Sequence, residues 1–248
     1  MSLSADVGIH LPPSTLLALL EGRGIAAEYQ PIMDVRHLTP IGYEALARFR
    51  CPQGQNLRPD WVFQALHTSP LSLFQMEYRI KQHQVQYAPQ TQALFLNIDQ
   101  DAFEVFLSEP EHPLVDLVAT CPQAVVEIIE NSSVSDARLS IAMLKRFGKA
   151  GIPLALDDVG AEDSLVALDV LAGVRYIKLA RDWLVRWQGG QARHLLQHLI
   201  QFAHATEKQV ILEGVETQQH LDWARELHID YAQGFLFRSA FVQSPATA

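Results

Sequence analysis

The sequence predicts an α/β fold, specifically a TIM-like (β/α)8 barrel, and three observations support this. Eight short, apolar, β-rich segments recur along the 248 residues, and longer amphipathic segments separate them. A polar or ionisable residue lies in or just after most of the apolar segments, as expected where barrel strands end at a common mouth. A doubly wound open sheet is the alternative, but no glycine-rich phosphate loop follows the first predicted strand.

The eight predicted strands share β-branched or aromatic content and short length. They are residues 28–33, 41–48, 93–98, 124–129, 153–156, 174–177, 210–212 and 229–232.

Helices are expected in most of the intervening segments. Ser14 is a candidate N-cap after Pro12-Pro13, and Thr217 is a candidate N-cap for a helix over 218–227. The other predicted helices are 60–67 and 73–87, separated near Pro70; 135–147, ending at Gly148; and 191–206, with apolar residues at helical spacing at Leu195, Leu196, Leu199, Ile200 and Ala203.

Composition limits the function classes. Apolar residues make up 48% of the chain, which is enough to fill a large core. The formal net charge is −9 and no basic run is present, so the chain does not present a surface for polymeric nucleic acid. An anionic ligand would need bound metal ions or a few well-placed basic side chains.

The sequence also suggests a cellular location. Cys51 and Cys121 lie far apart and form neither a disulfide framework nor a metal-ligand spacing, so reduced thiols are expected. Neither a signal peptide nor an apolar run of about 20 residues is visible, which predicts a cytoplasmic protein without a membrane span.

The residues at the predicted strand ends carry the chemistry. One such residue alone is usually a solvated or hydrogen-bonded edge group, but the pattern recurs on seven consecutive strands. Because the carboxyl ends of barrel strands converge, these groups should share one small volume. Buried carboxylates so close together would repel unless they bound hard cations such as Mg²⁺ or Mn²⁺. The residues are Glu44, Asn97, Glu127, Asp157, Asp158, Lys178, Glu213 and Gln233.

Three of these features have specific interpretations. The adjacent Asp157 and Asp158 suit two metal ions bridged by one carboxylate; an Asp turn that opens a loop is the other interpretation, and both can hold together. Lys178 is expected either to hold a water or a developing phosphate charge, or to form a charge-balancing salt bridge. Arg48, four residues after Glu44, should share its strand face and suits a substrate phosphate; a salt bridge at the rim is the alternative.

Taken together, the motifs resemble the EAL domain family over nearly the whole chain, from Tyr29-Gln30-Pro31-Ile32 to Gln233-Gly234-Phe235-Leu236-Phe237. The signature Glu44-Ala45-Leu46 is followed by Arg48, and Tyr176-Ile177-Lys178 and Glu213-Gly214-Val215-Glu216-Thr217 are also present. The resemblance implies a barrel with one antiparallel strand. It also implies one domain over 1–248, with a lead-in helix over 1–25 and the barrel over 26–240.

The resemblance implies an activity: hydrolysis of one phosphodiester of cyclic di-GMP to linear pGpG, with two Mg²⁺ or Mn²⁺ ions and inhibition by calcium, in a homodimer. Glu44, Asn97, Glu127 and Asp157 would hold one ion, and Asp157 would bridge to a second that Asp158 helps hold. The other roles carried over are Lys178 at the attacking water; Glu213 as second-site ligand or general base; Gln30, Leu46, Arg48, Glu77 and Gln233 at the substrate; and Glu130 and Glu216 as supports of the site and its loop.

One loop departs from the family pattern. After Asp157-Asp158 the chain continues Val159-Gly160-Ala161-Glu162-Asp163-Ser164, with Glu162 where the family has a glycine. The family couples dimerisation to metal binding through this loop. A catalytically weak or inactive receptor for cyclic di-GMP is therefore the main alternative, and a protein scaffold that binds no nucleotide is the last one. Near the end, Arg238-Ser239-Ala240 replaces a commoner ending with proline.

Overall fold

Eight strands close into a barrel in this computed structural model, which describes residues 11–90, 93–129, 134–162, 165–185 and 190–247. The predicted α/β barrel is therefore confirmed. The barrel strands are β1 (Ile25–Asp34), β2 (Pro40–Arg50), β4 (Leu94–Asn97), β5 (Ala124–Ile129), β6 (Leu154–Val159), β7 (Tyr176–Leu179), β8 (Gln209–Leu212) and β9 (Tyr231–Ala232). Two further short strands, β3 (Asn56–Leu57) and β10 (Val242–Gln243), were not predicted from the sequence.

The first strand runs against the rest of the barrel. β1 pairs antiparallel with both β2 and β9, and the remaining neighbours around the barrel, from β2 to β9, pair in parallel. This is the single antiparallel strand that the resemblance implied. β3 pairs with β2 and β10 pairs with β1, both antiparallel, so each extends a barrel strand at one side.

Ten α-helices lie in the described part of the chain, and a 3₁₀ segment covers Phe235–Ala240. They are α1 (Pro13–Leu20), α2 (Pro59–Leu66), α3 (Pro70–Gln86), α4 (Gln100–Glu104), α5 (Pro113–Ala119), α6 (Val134–Lys149), α7 (Leu168–Gly173), α8 (Asp182–Val185), α9 (Gly190–Ala205) and α10 (Gln218–Glu226). Thr217 is the N-cap of α10 as predicted, because its side chain accepts a hydrogen bond from the backbone N–H of His220.

Several predicted boundaries were wrong, and proline explains some of them. The N-cap of α1 is Pro12 rather than Ser14, and α3 begins at Pro70 rather than at Leu73. The predicted break near Pro70 is present, because α2 ends at Leu66. Proline suits the first turn of a helix because that turn does not need its N–H. The helix predicted to stop at Gly148 continues to Lys149, and Leu195 in α9 is exposed whereas Leu196 is buried.

A layer of inward-facing side chains lies across the barrel interior and sets the position of the site. It includes Ile32, Phe95, Val125, Ala155, Tyr176 and Ile211. Side chains alternate between the two faces of a strand, so the residue two positions along points inward as well, one level higher. On the parallel strands that residue is Asn97, Glu127, Asp157, Lys178 or Glu213. On β1, which runs the other way, it is Gln30, two positions before Ile32.

The chain after β9 returns to β1. The backbone N–H of Ser244 donates to the Ala27 carbonyl, and the Ser244 hydroxyl accepts from the Ala27 N–H. Thr247 makes the same two hydrogen bonds with Ile25. The segment from β10 to Thr247 therefore runs beside β1 as an additional edge. Among the described helices, none combines the length and the apolar character needed to cross a bilayer.

Candidate active site

Lys178 lies at the centre of the barrel mouth and contacts four carboxylates. Its ammonium nitrogen is 2.6 Å from Glu127, 2.8 Å from Asp157, 2.8 Å from Glu213 and 3.4 Å from Glu44. The lysine side chain is fully buried. One positive charge thus faces four acidic groups, so ionising all of them would leave this small volume with an excess of about three negative charges.

Glu44 is held by two side-chain amides as well as by Lys178. Asn97 Nδ2 donates a hydrogen bond to Glu44 Oε1 at 2.8 Å, and Gln233 Nε2 donates one to Oε2 at 2.5 Å. These donors belong to β4 and to the segment after β9, so they fix the carboxylate from two sides of the barrel. The Asn97 side-chain oxygen is left to face another group.

Three buried acidic side chains are arranged to hold a divalent metal ion. Glu44, Glu127 and Asp157 each offer an oxygen, and these oxygens lie within 4.8 Å of one another. Among the described residues, Oε2 of Glu127 accepts no hydrogen bond although it is buried. A buried carboxylate oxygen without a donor, beside two other carboxylates and an amide oxygen, is a donor set that Mg²⁺ and Mn²⁺ prefer.

Asp158 adopts an unusual backbone conformation that brings its carboxylate to the mouth as well as that of Asp157. Its φ is +56°, and the pairing of β6 with β7 shifts register between Leu156 and Val159. A bulge of this kind interrupts the alternation of side chains, so adjacent residues can approach the same region. The Asp158 side chain hydrogen-bonds with Glu213, while Asp157 contacts Lys178.

Burial and mutual repulsion raise the pKa of most carboxylates in the cluster. Burial, with Glu44 and Asp157 nearby, holds the pKa of Glu127 well above its usual range. Burial, Glu44 and Asp158 raise the pKa of Asp157 to about 6, and burial, Asp157 and Glu44 raise that of Glu213 well above its usual range. Glu44 is the exception: burial would raise its pKa, but Lys178, Gln233 and Asn97 keep it below the usual value.

Lys178 keeps its proton despite being buried. Burial alone would lower its pKa, but Asp157, Glu127, Glu213 and Glu44 together hold it well above the usual value. Beside these carboxylates the side chain is therefore a cation and a hydrogen-bond donor. The charge-balancing salt bridges that the sequence suggested for Lys178 are therefore present.

Two cavities flank the carboxylate cluster. The first has a volume of about 280 Å³ and is lined by Leu46, Arg48, Glu77 and Asn97 together with apolar side chains such as Phe63. The second has a volume of about 330 Å³. Its lining includes Gln30, Glu44, Asp158, Glu213 and Gln233, with Glu216 and Phe235 also contributing. All five residues predicted to bind substrate therefore line one of the two cavities.

Some predicted site residues have other partners. Glu77 is buried in the wall of the first cavity, where it pairs with Lys81 at 3.1 Å and accepts a hydrogen bond from the Asp99 backbone N–H. Glu216 lies at the exposed rim of the second cavity and pairs with Arg181 at 3.5 Å, outside the buried cluster. Glu130 and Asp163 lie outside the described residues.

Sequence reasoning missed two residues at this mouth. Asp182, the first residue of α8, lines the second cavity, and its charge contributes to the raised pKa of Asp158 after burial and Glu44. Gln84 is buried in the first cavity wall, and its Nε2 donates to the Ala45 carbonyl at 2.7 Å. Neither residue lies at a strand end, so the pattern that found the others gives no signal for them.

Gly234 positions Gln233. A Cβ at this residue would lie 2.3 Å from the Val215 carbonyl oxygen and 2.4 Å from its nitrogen, and the φ is +155°. Only glycine accepts this close approach of two backbone segments. The two segments are also joined here by a hydrogen bond of 3.0 Å, which the Val215 N–H donates to the Gln233 carbonyl.

Comparisons with known proteins agree with this geometry. The family model described as "EAL domain" matches residues 14–240. The probable cyclic di-GMP phosphodiesterase PdeB of Escherichia coli is 24% identical over 247 residues, covering 94% of this chain and 46% of PdeB. The chain therefore spans about half the length of the curated relatives it matches.

Solved structures show the same fold. The Bacillus subtilis YkuI protein, with an EAL domain in complex with substrate c-di-GMP and calcium, is 21% identical with a TM-score of 0.73, and the match covers 96% of this chain and 58% of YkuI. The FimX EAL domain of Pseudomonas aeruginosa, bound to c-di-GMP, is 20% identical with a TM-score of 0.66, covering 89% and 93%. With its barrel, its buried carboxylates and a family match over residues 14–240, the chain belongs to the EAL domain family.

Proposed function

We propose that this protein is a phosphodiesterase that hydrolyses one phosphodiester of cyclic di-GMP to linear pGpG, using two Mg²⁺ or Mn²⁺ ions. The observation that carries the proposal is the cluster of Glu44, Glu127 and Asp157 around buried Lys178, between two cavities. Membership of the EAL family and relatives named as cyclic di-GMP phosphodiesterases supply the substrate.

The proposed ligand set is the one that the resemblance to the EAL family implies, and three of its members lie together at the mouth. Glu44, Asn97, Glu127 and Asp157 would hold one ion, and Asp157 would be shared with a second that Asp158 and Glu213 help to hold. Bound there, two divalent cations supply Lewis acidity and neutralise charge on a phosphodiester. They also explain how a protein with a net charge of −9 attracts a ligand carrying two phosphates.

Lys178 and Glu213 have complementary roles in the proposal. The Lys178 ammonium group would orient a water or stabilise negative charge on a phosphate oxygen by donating hydrogen bonds. Glu213 has a raised pKa and is the more exposed of the two, with 18% of its side chain accessible beside the second cavity. It is thus placed either to accept a proton from an attacking water or to serve as a ligand, and substitution has to distinguish these roles.

The two cavities suit the two halves of a cyclic dinucleotide. Arg48 and Leu46 would contact one half in the first cavity, above the wall that contains Glu77. Gln30 and Gln233 would contact the other half in the second cavity. The Arg48 guanidinium offers a planar set of N–H donors, which matches phosphate oxygens.

A homodimer is part of the proposal. Leu165, Val166 and Leu168 are exposed apolar side chains shortly after the loop that follows β6. Apolar side chains grouped on a surface favour contact with another protein surface, here a second copy of the chain. Sedimentation of the wild type and of Leu168→Asp tests this: a dimer that becomes a monomer supports the contact, and a monomeric wild type rejects it.

A receptor without catalytic activity is the second candidate, and one observation favours it. Glu162 is exposed in the loop that follows Asp158, at the position where the EAL family pattern has a glycine. Such a protein would bind cyclic di-GMP tightly and leave it intact.

One experiment tests both candidates. The wild type and Glu44→Ala are incubated with cyclic di-GMP and Mn²⁺, and the products are separated by chromatography. The phosphodiesterase predicts pGpG from the wild type and a loss of about 100-fold or more in Glu44→Ala, because removing a direct ligand should cost at least as much as removing an outer-shell partner. Calorimetry with Ca²⁺ in place of Mn²⁺ measures binding without turnover. Binding without product identifies the receptor, and neither binding nor product rejects both.

A further inference from the structure

Glu28 lies where three strands meet beside the mouth. It is on β1, opposite Gln243 on β10 and Leu46 on β2. Its Oε1 accepts a hydrogen bond from Arg48 Nη2 at 2.6 Å and another from Gln30 Nε2 at 3.2 Å. Its Oε2 accepts one from Gln243 Nε2 at 3.1 Å. One carboxylate therefore takes donors from all three strands.

The two donors to Oε1 line different cavities. Arg48 lines the first cavity, and Gln30 lines the second. Glu28 itself lies outside the metal-ligand cluster and is not one of the four carboxylates that contact Lys178. We propose that Glu28 is a positioning residue for the cyclic dinucleotide, and that it acts by fixing the Arg48 and Gln30 side chains on either side of the carboxylate cluster. This inference rests on the proposed function.

The geometry favours positioning over a simple surface ion pair. The Arg48 and Glu28 side chains are 39% and 15% exposed, whereas those of the Arg58–Asp60 pair are 66% and 58% exposed. An exposed pair contributes little because solvent screens it and its two side chains move. Glu28 is instead held by three donors, so it restricts the guanidinium of Arg48, which also donates from Nη1 to the Ala47 carbonyl at 2.9 Å.

Restriction of Arg48 affects binding through conformational entropy. A free arginine side chain has many rotamers, and a phosphate contact must otherwise overcome the entropy lost in ordering it. With Nη1 and Nη2 directed at Ala47 and Glu28, the remaining N–H groups keep a fixed direction relative to the first cavity. Glu28 also partly neutralises Arg48, and this opposing effect would weaken phosphate binding. The sign of the effect of removing Glu28 therefore decides which of the two dominates.

The experiment compares the wild type with Glu28→Ala and Glu28→Gln in steady-state hydrolysis of cyclic di-GMP with Mn²⁺. We expect Glu28→Ala to raise KM about tenfold and to change kcat by less than about twofold, because Arg48 and Gln30 hold the bound substrate and do not touch the reacting atoms. Glu28→Gln retains an acceptor oxygen, so its KM should lie between that of the wild type and that of Glu28→Ala. Asp222→Ala removes an ion pair with Arg225 on α10, away from both cavities, and serves as the matched control.

A second comparison tests whether Glu28 acts through its two partners. Glu28→Ala is added to the Arg48→Ala/Gln30→Ala double variant, and we expect no further change in affinity for cyclic di-GMP measured with Ca²⁺. A further loss as large as that in the wild-type background would overturn the inference, since independent effects add. Side-chain ¹⁵N relaxation of Arg48 without ligand should show faster motion in Glu28→Ala, and unchanged motion would contradict the inference.

The outcomes separate this inference from the proposed function. Absence of both binding and turnover in the wild type rejects the proposed function, and the role of Glu28 with it. A wild type that binds or hydrolyses cyclic di-GMP, with a Glu28→Ala variant of equal or lower KM and Kd, rejects the role of Glu28 alone.

Discussion

The ammonium group of Lys178 lies 2.6 Å from Oε1 of Glu127, and neither side chain is exposed to solvent. This pair is the centre of a cluster in which Asp157, Glu213 and Glu44 also approach the same nitrogen. The cluster has more negative than positive groups, so its stability should depend on which cations are present. Substitutions in the cluster and in the backbone that holds it can measure this dependence.

Replacing Lys178 by methionine removes the only cation that contacts these carboxylates among the described residues. Breaking a buried ion pair by removing one partner typically costs about 3–5 kcal/mol. We expect Lys178→Met to lower the free energy of unfolding by that amount in the presence of a chelator, and Mn²⁺ to restore more stability in the variant than in the wild type. Urea denaturation with and without Mn²⁺ measures both quantities.

Lys208→Met is the control for that prediction. Lys208 is also buried, but it donates to the carbonyls of Ala172 and Val174 at 2.7 and 2.9 Å. Its loss should destabilise the protein without making stability depend on Mn²⁺. Equal responses of both variants to Mn²⁺ would contradict the metal site.

Replacing Glu127 by glutamine should stabilise the folded protein without metal and remove the stabilisation that Mn²⁺ provides. Its pKa is raised by burial and by Glu44 and Asp157, so the charged form is unfavourable in the folded protein. We expect Glu127→Gln to stabilise the protein in a chelator near neutral pH, because the neutral amide does not carry the cost of a buried charge. The gain in thermal midpoint on adding Mn²⁺ should disappear. A variant that keeps the full Mn²⁺ effect would exclude Glu127 as a ligand.

Metal binding should depend on pH, in a direction that the pKa shifts determine. Asp157, with a pKa raised to about 6, is largely protonated at pH 5.5 and ionised at pH 7.5. Because metal ions bind ionised carboxylates, binding at the lower pH must displace a proton. We expect competition from the Asp157 proton to lower Mn²⁺ affinity about fourfold from pH 7.5 to 5.5, since a group with a pKa of about 6 is about three-quarters protonated at the lower pH. Calorimetry in buffers of different ionisation enthalpy measures the protons released, and zero release at pH 5.5 would refute this.

Glycine at position 234 should be essential to the site geometry. A Cβ there would lie 2.3–2.4 Å from the Val215 backbone, so Gly234→Ala must move Gln233 away from Glu44. We expect a loss of stability of about 2 kcal/mol or more, as is usual for strain at a special backbone position, together with lower hydrolysis. Gly148→Ala in α6 is the control: nothing lies within 4 Å of its added Cβ, and alanine favours helix by about 1 kcal/mol. Equal effects of the two changes would contradict this account.

The sequence by itself determined the barrel and the inward-facing site residues at the ends of its strands. Alternation of side chains has a period of two in every strand, so Phe95 and Asn97, or Val125 and Glu127, must share a face wherever the strand lies. Parallel strands in a barrel end at one mouth, and this brings their last inward residues together without further information. The predicted residues at strand ends therefore lie together around Lys178.

Only the tertiary structure decided the contacts that depend on strand direction, strand pairing and loop geometry. The antiparallel course of β1 and the added strand β10 place Gln30, Arg48 and Gln243 around Glu28. The left-handed conformation of Asp158, the approach of Asp182 and the close contact of Gly234 with Val215 are also invisible in local patterns. Periodicity predicts only which face of its strand or helix a residue occupies. These contacts join residues up to 215 positions apart, so they form only when the whole chain has packed.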